Sequence, residues 1–533
     1  MFHSPFPDIA IPNGTLFDQL FGDLTPEDGK RIAIIDGNDG SETTFSELRD
    51  SIESVASALA ARGIGPSSVV ALLAPNSPRW VTAFHGTLRA GATLTAVNLM
   101  STVEDIAKQL RRTSTALLFS ARSTLEVARA AADLAGLDAA NIVLVDGHAD
   151  EESIGRWLAE ERDPVNVSID PATAVAVLAF SSGTTGTPKA VALSHRNLVS
   201  NVEQLTPIVA LGPDDRLVAV LPYFHIYGMT VLMNYAIRTR TAVVTLGRFE
   251  LAQFLRVVSE YRCTYLHVAP PIVLALAKHP AVDDYDLSHV HTVFSGAAPL
   301  DAATATRVAE RLGVRVTQGY GMSELSPASH ATPTGPTDVP SGSVGYLTPN
   351  TVCRLVDIET GEDIQAPEAG TSRPGELLVR GPQVMLGYSG DREATDEIID
   401  ADGFLHTGDI AVIHEGGYFT IIDRVKELVK YKGYQVPPAE LEAVLVSHPE
   451  IADAAVVAAF DADGQELPKA YVVRATNTQL DEETVMAFVA ERVAPYKKVR
   501  RVEFIDAIPK SAAGKILRKE LRARERTADV AEH

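Results

Sequence analysis

At 533 residues the chain exceeds the size at which one hydrophobic core stops growing, so two or more domains are expected. Its 46% apolar and 22% charged residues are those of a globular protein, with disorder left to the ends. The formal net charge of -22 excludes a general nucleic-acid or membrane-surface binder, which needs a broad positive footprint, and any anionic ligand must be met by local cations.

The start, MFHSPFPDIAIPNG, lacks a basic segment followed by an apolar run, and no stretch approaches about 18 uninterrupted apolar residues, so neither a secretion signal nor a membrane span is expected. The helical pattern SELRDSIESVASALAARG (46–63) is followed by the apolar run VVALLAP (69–75), and a second run, AVAVLAF, occupies 174–180. That alternation predicts βαβ units and mostly parallel sheet, continued by RLVAVLPYFHIYG and RCTYLHVAPP through residue 271. Cys263 and Cys353 lie far apart without metal-ligand spacing; they read as buried small hydrophobes and fit a reducing, cytoplasmic compartment. Near residue 370 short strands split by Gly pairs predict antiparallel hairpins. PPAELEAVLVSH, opening at Pro437 and Pro438, reads as a helix with Pro in its first turn. Beyond it DAAVVAAF, KAYVVRA, DEETVMAFVAERV and VRRVEFID form a compact α+β unit, with the boundary expected between Asp423 and Lys426. The chain ends in TADVAEH, which is not a peroxisomal address.

The stretch SSGTTGTPKA (181–190) supplies hydroxyls, Gly backbone N–H groups and one Lys charge, the donors that wrap phosphate oxygens. A P-loop needs G-x-x-x-x-G-K-[ST] running directly into a helix. Here Gly183 and Gly186 are too close, Pro188 precedes the lysine, and Ala190 occupies the Ser/Thr position that would ligand Mg²⁺. By itself such a loop is more often plain surface.

The string SSGTTGTPK resembles the signature of the adenylate-forming superfamily, which includes acyl-CoA synthetases, 4-coumarate:CoA ligases, firefly luciferase and peptide-synthetase adenylation domains. PYFHIYG (222–228), SGAAPL (295–300), QGYGMSE (318–324), GELLVRGPQVMLGY (375–388), HTGD (406–409), DRVKELVKYKGYQVPPAELE (423–442) and PKSAAGKILRKEL (509–521) follow in the superfamily's order. SGAAPL, GYGMSELSP and KELVKYKGYQ are most similar to 4-coumarate:CoA ligase-like enzymes. The resemblance implies an α/β fold. A large N-terminal AMP-binding domain, residues 1–423, would have mixed, mostly parallel sheets flanked by helices and a β-barrel-like subdomain; a small mobile α+β C-terminal domain would span 424–533. The activity implied is an ATP- and Mg²⁺-dependent ligation of a carboxylic acid, through an acyl-AMP with release of pyrophosphate, to the thiol of coenzyme A.

The resemblance also assigns roles. Ser181, Ser182, Gly183, Thr184, Thr185, Gly186 and Lys189 would close over the β- and γ-phosphates, with Thr185 near the α-phosphate or the metal. Glu324 would hold Mg²⁺, a hard ion that takes carboxylate and phosphate oxygens. Asp409 would bind the ribose hydroxyls with Arg424 bracing ribose or phosphate, and Gly296, Ala297 and Ala298 with Gly319, Tyr320, Gly321, Met322 and Ser323 would form the adenine slot. Lys515 would act in adenylation; after rotation about a hinge at Lys426, Lys430 and Gln435 would support thioester formation and Lys432 and Gly433 would lie along the pantetheine tunnel. His225 would contact the carboxylate or gate the channel.

Three positions depart from the pattern. Ala190 stands where Gly is usual, so a stiffer loop limb or an altered phosphate grip is expected; Pro437 replaces a small residue, and Ser323 replaces a Thr while keeping the hydroxyl. The acid pocket is assigned to Tyr227, Ser295, Gly296, Gly319, Met322, Leu325, Ser326 and Pro327. That lining suits an aryl-propenoic acid, and a bulky alicyclic or medium-chain acid fits nearly as well because apolar complementarity discriminates by only about 1 to 3 kcal/mol per methylene. A carrier-protein thiol as acceptor and a medium- or long-chain fatty acyl-CoA synthetase are the alternatives. No nucleic-acid partner is expected.

Overall fold

A computed structural model describes the chain except residues 182–188, 336, 433, 462–464, 477, 512–513 and 532–533; of residues 181 and 526–531 it describes the backbone alone. Two large sheets carry the N-terminal part. In the seven-stranded sheet Val175–Ser181, Thr93–Ala96, Val69–Leu73, Leu117–Ser120 and Ile142–Leu144 run parallel, with Lys189–Ser194 and Gly387–Tyr388 added antiparallel at one edge. The nine-stranded sheet is parallel from Ile32–Asp36 through Ala242–Thr245, Arg216–Ala219, Tyr265–Val268 and Thr292–Ser295 to Arg315–Gly321. The βαβ reading holds where an apolar strand is followed by a helix, as Val69–Leu73 is by Pro78–Arg89, Ala242–Thr245 by Leu251–Glu260 and Thr292–Ser295 by Ala302–Leu312; AVAVLAF departs from it. Helix Phe45–Ala61 is opened by a reciprocal cap in which Thr44 accepts the Glu47 N–H and Glu47 accepts the Thr44 N–H. Leu48, Ile52, Val55 and Leu59 then fall on its buried side.

Strand Val175–Ser181 pairs antiparallel with Lys189–Ser194, Ser181 opposite Lys189, so the Ser/Thr/Gly segment joins two adjacent strands. A P-loop passes from strand to helix, and the failure of the Walker spacing has its cause in this topology.

The hairpins expected near residue 370 form a five-stranded antiparallel sheet, ordered Phe2–His3, Val352–Val356, Gly375–Arg380, Leu405–Ile413, Phe419–Arg424. Its last strand delivers the chain to Asp423. Beyond lie the hairpin Val429–Tyr431/Tyr434–Val436, helix Pro438–Ser447, the sheet of Ile451–Phe460, Glu466–Arg474 and Arg501–Phe504, and helix Arg518–Ala531. Buried apolar residues separate accordingly. The main core gathers side chains from Leu16 to Phe419, whereas Val429, Val436, Leu441, Leu445 and Val456 begin a distinct core that extends to Val502. Among the described residues no helix is long and apolar enough to cross a membrane.

Candidate active site

The site lies at the carboxyl ends of the parallel strands of the nine-stranded sheet, where loops can diverge from a rigid base. Strand Leu405–Ile413 presents Asp409 and strand Phe419–Arg424 presents Arg424 directly opposite it in the ladder. Register alone therefore sets the ion pair, Arg424 Nε to Asp409 Oδ1 at 3.1 Å. The other oxygen, Oδ2, accepts the Tyr320 hydroxyl at 2.6 Å, and Asp409 is 4% exposed. Burial first, and the Asp409 charge next, push the Tyr320 phenol well above its usual range, so it donates and does not ionise. Asp409, Arg424 and Tyr320 come together from three sequence motifs.

Glu324 sits in a single 3₁₀ turn, Ser323–Leu325, and is buried. Its Oε1 accepts the Tyr388 hydroxyl at 2.9 Å, and the Tyr388 ring lies 4.7 Å beneath the Lys189 ammonium. Burial raises the Glu324 carboxyl, opposed by the Tyr388 hydrogen bond and by the charges of Arg424 and Lys515. Tyr388 is thus a member of the site that the motif reading did not single out, although it closes the GELLVRGPQVMLGY motif.

Lys515 enters from the C-terminal unit. Its loop is closed by Ser511, whose N–H donates to the Lys515 carbonyl at 2.8 Å and whose Oγ accepts the Lys515 N–H at 3.2 Å. Neighbouring Gly514, at φ 79°, comes so near the other unit that an added Cβ would meet the Pro271 ring at 3.1 Å. Burial draws Lys515 down to about 8, Arg424 adds to this, and Asp409 and Glu427 oppose it. His225 is drawn down to about 4, by burial first and then by Lys515. His225 Nδ1 accepts the Tyr227 N–H at 3.3 Å, so the neutral ring carries its proton on Nε2.

Beside this polar group lies an apolar cavity lined by Tyr227, Gly296, Gly319, Met322 and Pro327, and also by Leu205, Val209, Val231, Phe294, Ala328 and His330. His225, Ala297, Tyr320 and Gly321 border it. Glycine is required at two of these positions by close approach: a Cβ on Gly296 would stand 2.9 Å from the Tyr227 ring, and one on Gly319 2.6 Å from Phe294 Cζ. Ser295, Leu325 and Ser326 are buried but not among the lining residues. After the 3₁₀ turn Ser326 takes φ 71°, and its Oγ donates to the Gln383 carbonyl at 2.9 Å, on a path into the protein.

Residues 25–389 match the family model for AMP-binding enzymes, and residues 440–515 match the AMP-binding enzyme C-terminal domain. The chain belongs to the AMP-binding enzyme family. It is 38% identical over 535 residues to 4-coumarate–CoA ligase 2 of Nicotiana tabacum, which covers 98% of this chain and 97% of that one. ATP-bound MatB from Rhodopseudomonas palustris superimposes with a TM-score of 0.86 at 29% identity, over 96% of this chain and 99% of that one. A benzoate CoA ligase from Burkholderia xenovorans LB400, at 23% identity and a TM-score of 0.85 over 96% of this chain and 100% of that one, shares the fold.

In this AMP-binding enzyme Ser182, Gly183, Thr184, Thr185, Gly186 and Gly433 fall outside the described residues, as does the Ser181 side chain. Ala298 and Ser323 are half-buried, Lys426 is exposed, and Lys432 is exposed with φ 50° at the hairpin tip. Lys430 and Gln435 are paired across that hairpin, Lys430 exposed to solvent. Ala190 is 2% exposed and lies within strand Lys189–Ser194, its carbonyl accepting the Ser389 N–H at 2.8 Å. Its φ is not in the positive region, so the methyl group is unstrained. For Mg²⁺, Glu324 offers a hard oxygen donor at the buried end of the Lys189–Tyr388 line. Among the described residues no group of three or more His, Cys, Asp or Glu forms a cage. Glu324 therefore fits an ion whose remaining ligands are phosphate oxygens and water.

Proposed function

We propose that this AMP-binding enzyme is an ATP-dependent acid:CoA ligase, an AMP-forming acyl-CoA synthetase, for an aryl-propenoic or comparably bulky hydrophobic acid. The observation that carries the reading is the convergence on Lys515 of Asp409, Arg424, Glu324 and His225 beside an apolar cavity. The acid class draws support from the aromatic and aliphatic lining, Tyr227, Phe294, Val231 and Met322, and from the likeness to 4-coumarate–CoA ligases.

A carboxylate is a poor electrophile, whereas its mixed anhydride with AMP has a good leaving group. In the first half-reaction a carboxylate oxygen attacks the α-phosphorus; the carboxyl O–P bond forms as the bond to the bridging oxygen breaks, and pyrophosphate leaves with the electron pair. Two anions must meet, which at about 4 Å costs roughly 1 kcal/mol in water and about 4 kcal/mol in a partly buried site. Lys515 offsets that repulsion between carboxylate and α-phosphate, and Arg424, held by Asp409, adds a fixed charge. His225, neutral with its proton on Nε2, donates to the carboxylate. Asp409 accepts from the ribose, Tyr320 offers its ring to adenine, and Lys189 with the 181–187 segment holds the departing phosphates. Glu324 and Thr185 would hold Mg²⁺, which when bound would supply neutralisation of phosphate charge.

In the second half-reaction the CoA thiol releases its proton to solvent, its sulfur attacks the acyl carbon, and AMP leaves with the electrons of the acyl C–O bond. Residues 424–533 turn about Lys426 so that Lys430 and Gln435 replace the Lys515 loop, with Lys432 and Gly433 along the pantetheine path. Exposure of Lys426 and Lys430 in the present arrangement supports this, since a solvated side chain can turn without loss. The two buried, unpaired thiols, Cys263 and Cys353, support a cytoplasmic setting. The test is pyrophosphate release over cinnamic, benzoic, fatty and polycyclic acids, with and without CoA. Release that no acid stimulates would remove the reading, and release with acid but no thioester in the presence of CoA would point to another acceptor such as a carrier protein.

A further inference from the structure

Helix Pro438–Ser447 begins without the usual means of satisfying its first turn. Pro437 precedes it and has no capping side chain, Pro438 fills its first position, and neither has an N–H, so the first amide is that of Ala439. That amide donates to Asp423 Oδ2 at 2.9 Å, from sixteen residues downstream. Asp423 is the penultimate residue of strand Phe419–Arg424, on the other side of Lys426, is 5% exposed, and its Oδ1 accepts the Arg424 N–H at 2.7 Å. The carboxylate also faces the positive end of the helix dipole and the Arg518 guanidinium. Arg518 itself is bonded to Glu427 and Glu442, so it is fixed to the first residue after Lys426 and to the helix that Asp423 caps. Further contacts across Lys426 include the Glu427 N–H to the Arg424 carbonyl at 3.0 Å, within the turn itself, Lys278 Nζ to the Val446 and Ile451 carbonyls at 3.4 and 3.5 Å, and the approach of Gly514 to Pro271.

We infer that Asp423 is a positioning residue that latches the C-terminal unit in the acyl-AMP-forming arrangement, by capping a helix that must leave it when the unit turns. The inference rests on the two-arrangement reading proposed above. Its register is direct, because Asp423 and Arg424 are consecutive: one carboxylate fixes the helix while the adjacent guanidinium is paired with Asp409 in the nucleotide site. The latch therefore sets the C-terminal unit against the residues that Lys515 must meet.

Half-reactions of full-length variants separate this role from ordinary helix capping. Asp423→Ala is expected to slow acyl-AMP formation, read as acid-dependent pyrophosphate exchange, about ten-fold, while thioester formation from supplied acyl-AMP is unchanged or faster. Asp423→Asn, which keeps an acceptor oxygen without the charge, should lose less. Pro437→Asp gives the helix a cap of its own within the C-terminal unit; combined with Asp423→Ala it should restore Tm but not acyl-AMP formation, and it also keeps the comparison usable if Asp423→Ala alone folds poorly. Recovery of acyl-AMP formation together with Tm in that double variant, or equal loss of both half-reactions in Asp423→Ala, overturns the latch. Lys515→Ala and Lys430→Ala measured alongside isolate the premise. If those two divide the half-reactions and Asp423→Ala does not, only the latch falls; if they do not divide them, the two-arrangement reading falls and takes the latch with it.

Discussion

Lys515 carries its charge in a setting that opposes it: burial, and next the Arg424 charge, hold it near 8, well below its ordinary value of 10.5. In the free enzyme the ammonium is present below about pH 8 and is lost above it. The kcat/KM for acyl-AMP formation is therefore expected to fall as pH rises through that value, and Lys515→Arg, slower because its planar fork differs from an ammonium, should lose the falling limb. The stability consequence has the opposite sense. A lysine depressed on folding binds fewer protons folded than unfolded between about 8 and 10.5, so its drag on stability lessens as pH rises across that window. His225, held near 4, is neutral at pH 7, and no rate limb near the ordinary histidine value should arise from it. Asp409 is a second residue whose role separates by measurement. Asp409→Asn leaves the Arg424 guanidinium without its carboxylate in a largely buried site, with an expected loss of about 3 to 5 kcal/mol in denaturant unfolding and a raised KM for ATP.

At the scale of elements the strand containing Ala190 decides a question left open by its motif. The resemblance placed Ala190 in the phosphate loop, where a methyl would stiffen the backbone or alter the phosphate grip. Instead the residue is the second of strand Lys189–Ser194, opposite Phe180, and its methyl packs with Leu178 and Ala192. Ala190→Gly should then leave the KM for ATP unchanged and cost about 1 kcal/mol, the sum of backbone freedom and a small lost contact; a several-fold change in KM would return Ala190 to the phosphate site. The strands and helices themselves were legible because period and run length report burial directly, as in AVAVLAF and SELRDSIESVASALAARG. Polar site members were legible where a motif carries them, as with Asp409, Arg424 and Glu324. What could not be read was the side of the chain that faces the cavity. Leu325 and Ser326 adjoin Glu324 in sequence, yet the 3₁₀ turn and the left-handed Ser326 carry them inward, while Phe294, Val231 and Leu205 arrive from three separate elements. Tyr388 was hidden for a related reason: Lys189 is brought near it by the pairing of Gly387–Tyr388 with Lys189–Ser194, and Glu324 lies in a 3₁₀ turn, its carbonyl accepting the Met385 N–H at 2.9 Å, both across long stretches of chain.

At the scale of the molecule, the main apolar core and the core that begins at Val429 share no buried side chain yet flank one polar site, and this is the organisation needed if one unit is to turn against the other. The main core ends at Phe419 and the next begins at Val429; between them Asp423 to Glu427 carry charge and little apolar packing. Lys515 lies at the shared face in the present arrangement, whereas Lys430 and Gln435 stand on a hairpin whose Lys430 is in solvent. In the two-arrangement reading proposed above, Lys515 serves the attack at the α-phosphorus and Lys430 the attack at the acyl carbon, so each should matter to one half-reaction alone. Lys515→Ala is expected to abolish acyl-AMP formation, a loss of about 100-fold or more for a charge made to meet the transition state, and to leave thioester formation from supplied acyl-AMP near the parent rate. Lys430→Ala should give the reverse, with pyrophosphate exchange intact and thioester formation reduced, and as an exposed side chain it should leave unfolding stability within about 0.5 kcal/mol. Wild-type-like pyrophosphate exchange in Lys515→Ala would remove that residue from the first step; unimpaired thioester formation in Lys430→Ala would remove the second face and with it the need for rotation. Measured on the same preparations, the pair also excludes a trivial cause, because a misfolded variant would lose both half-reactions together.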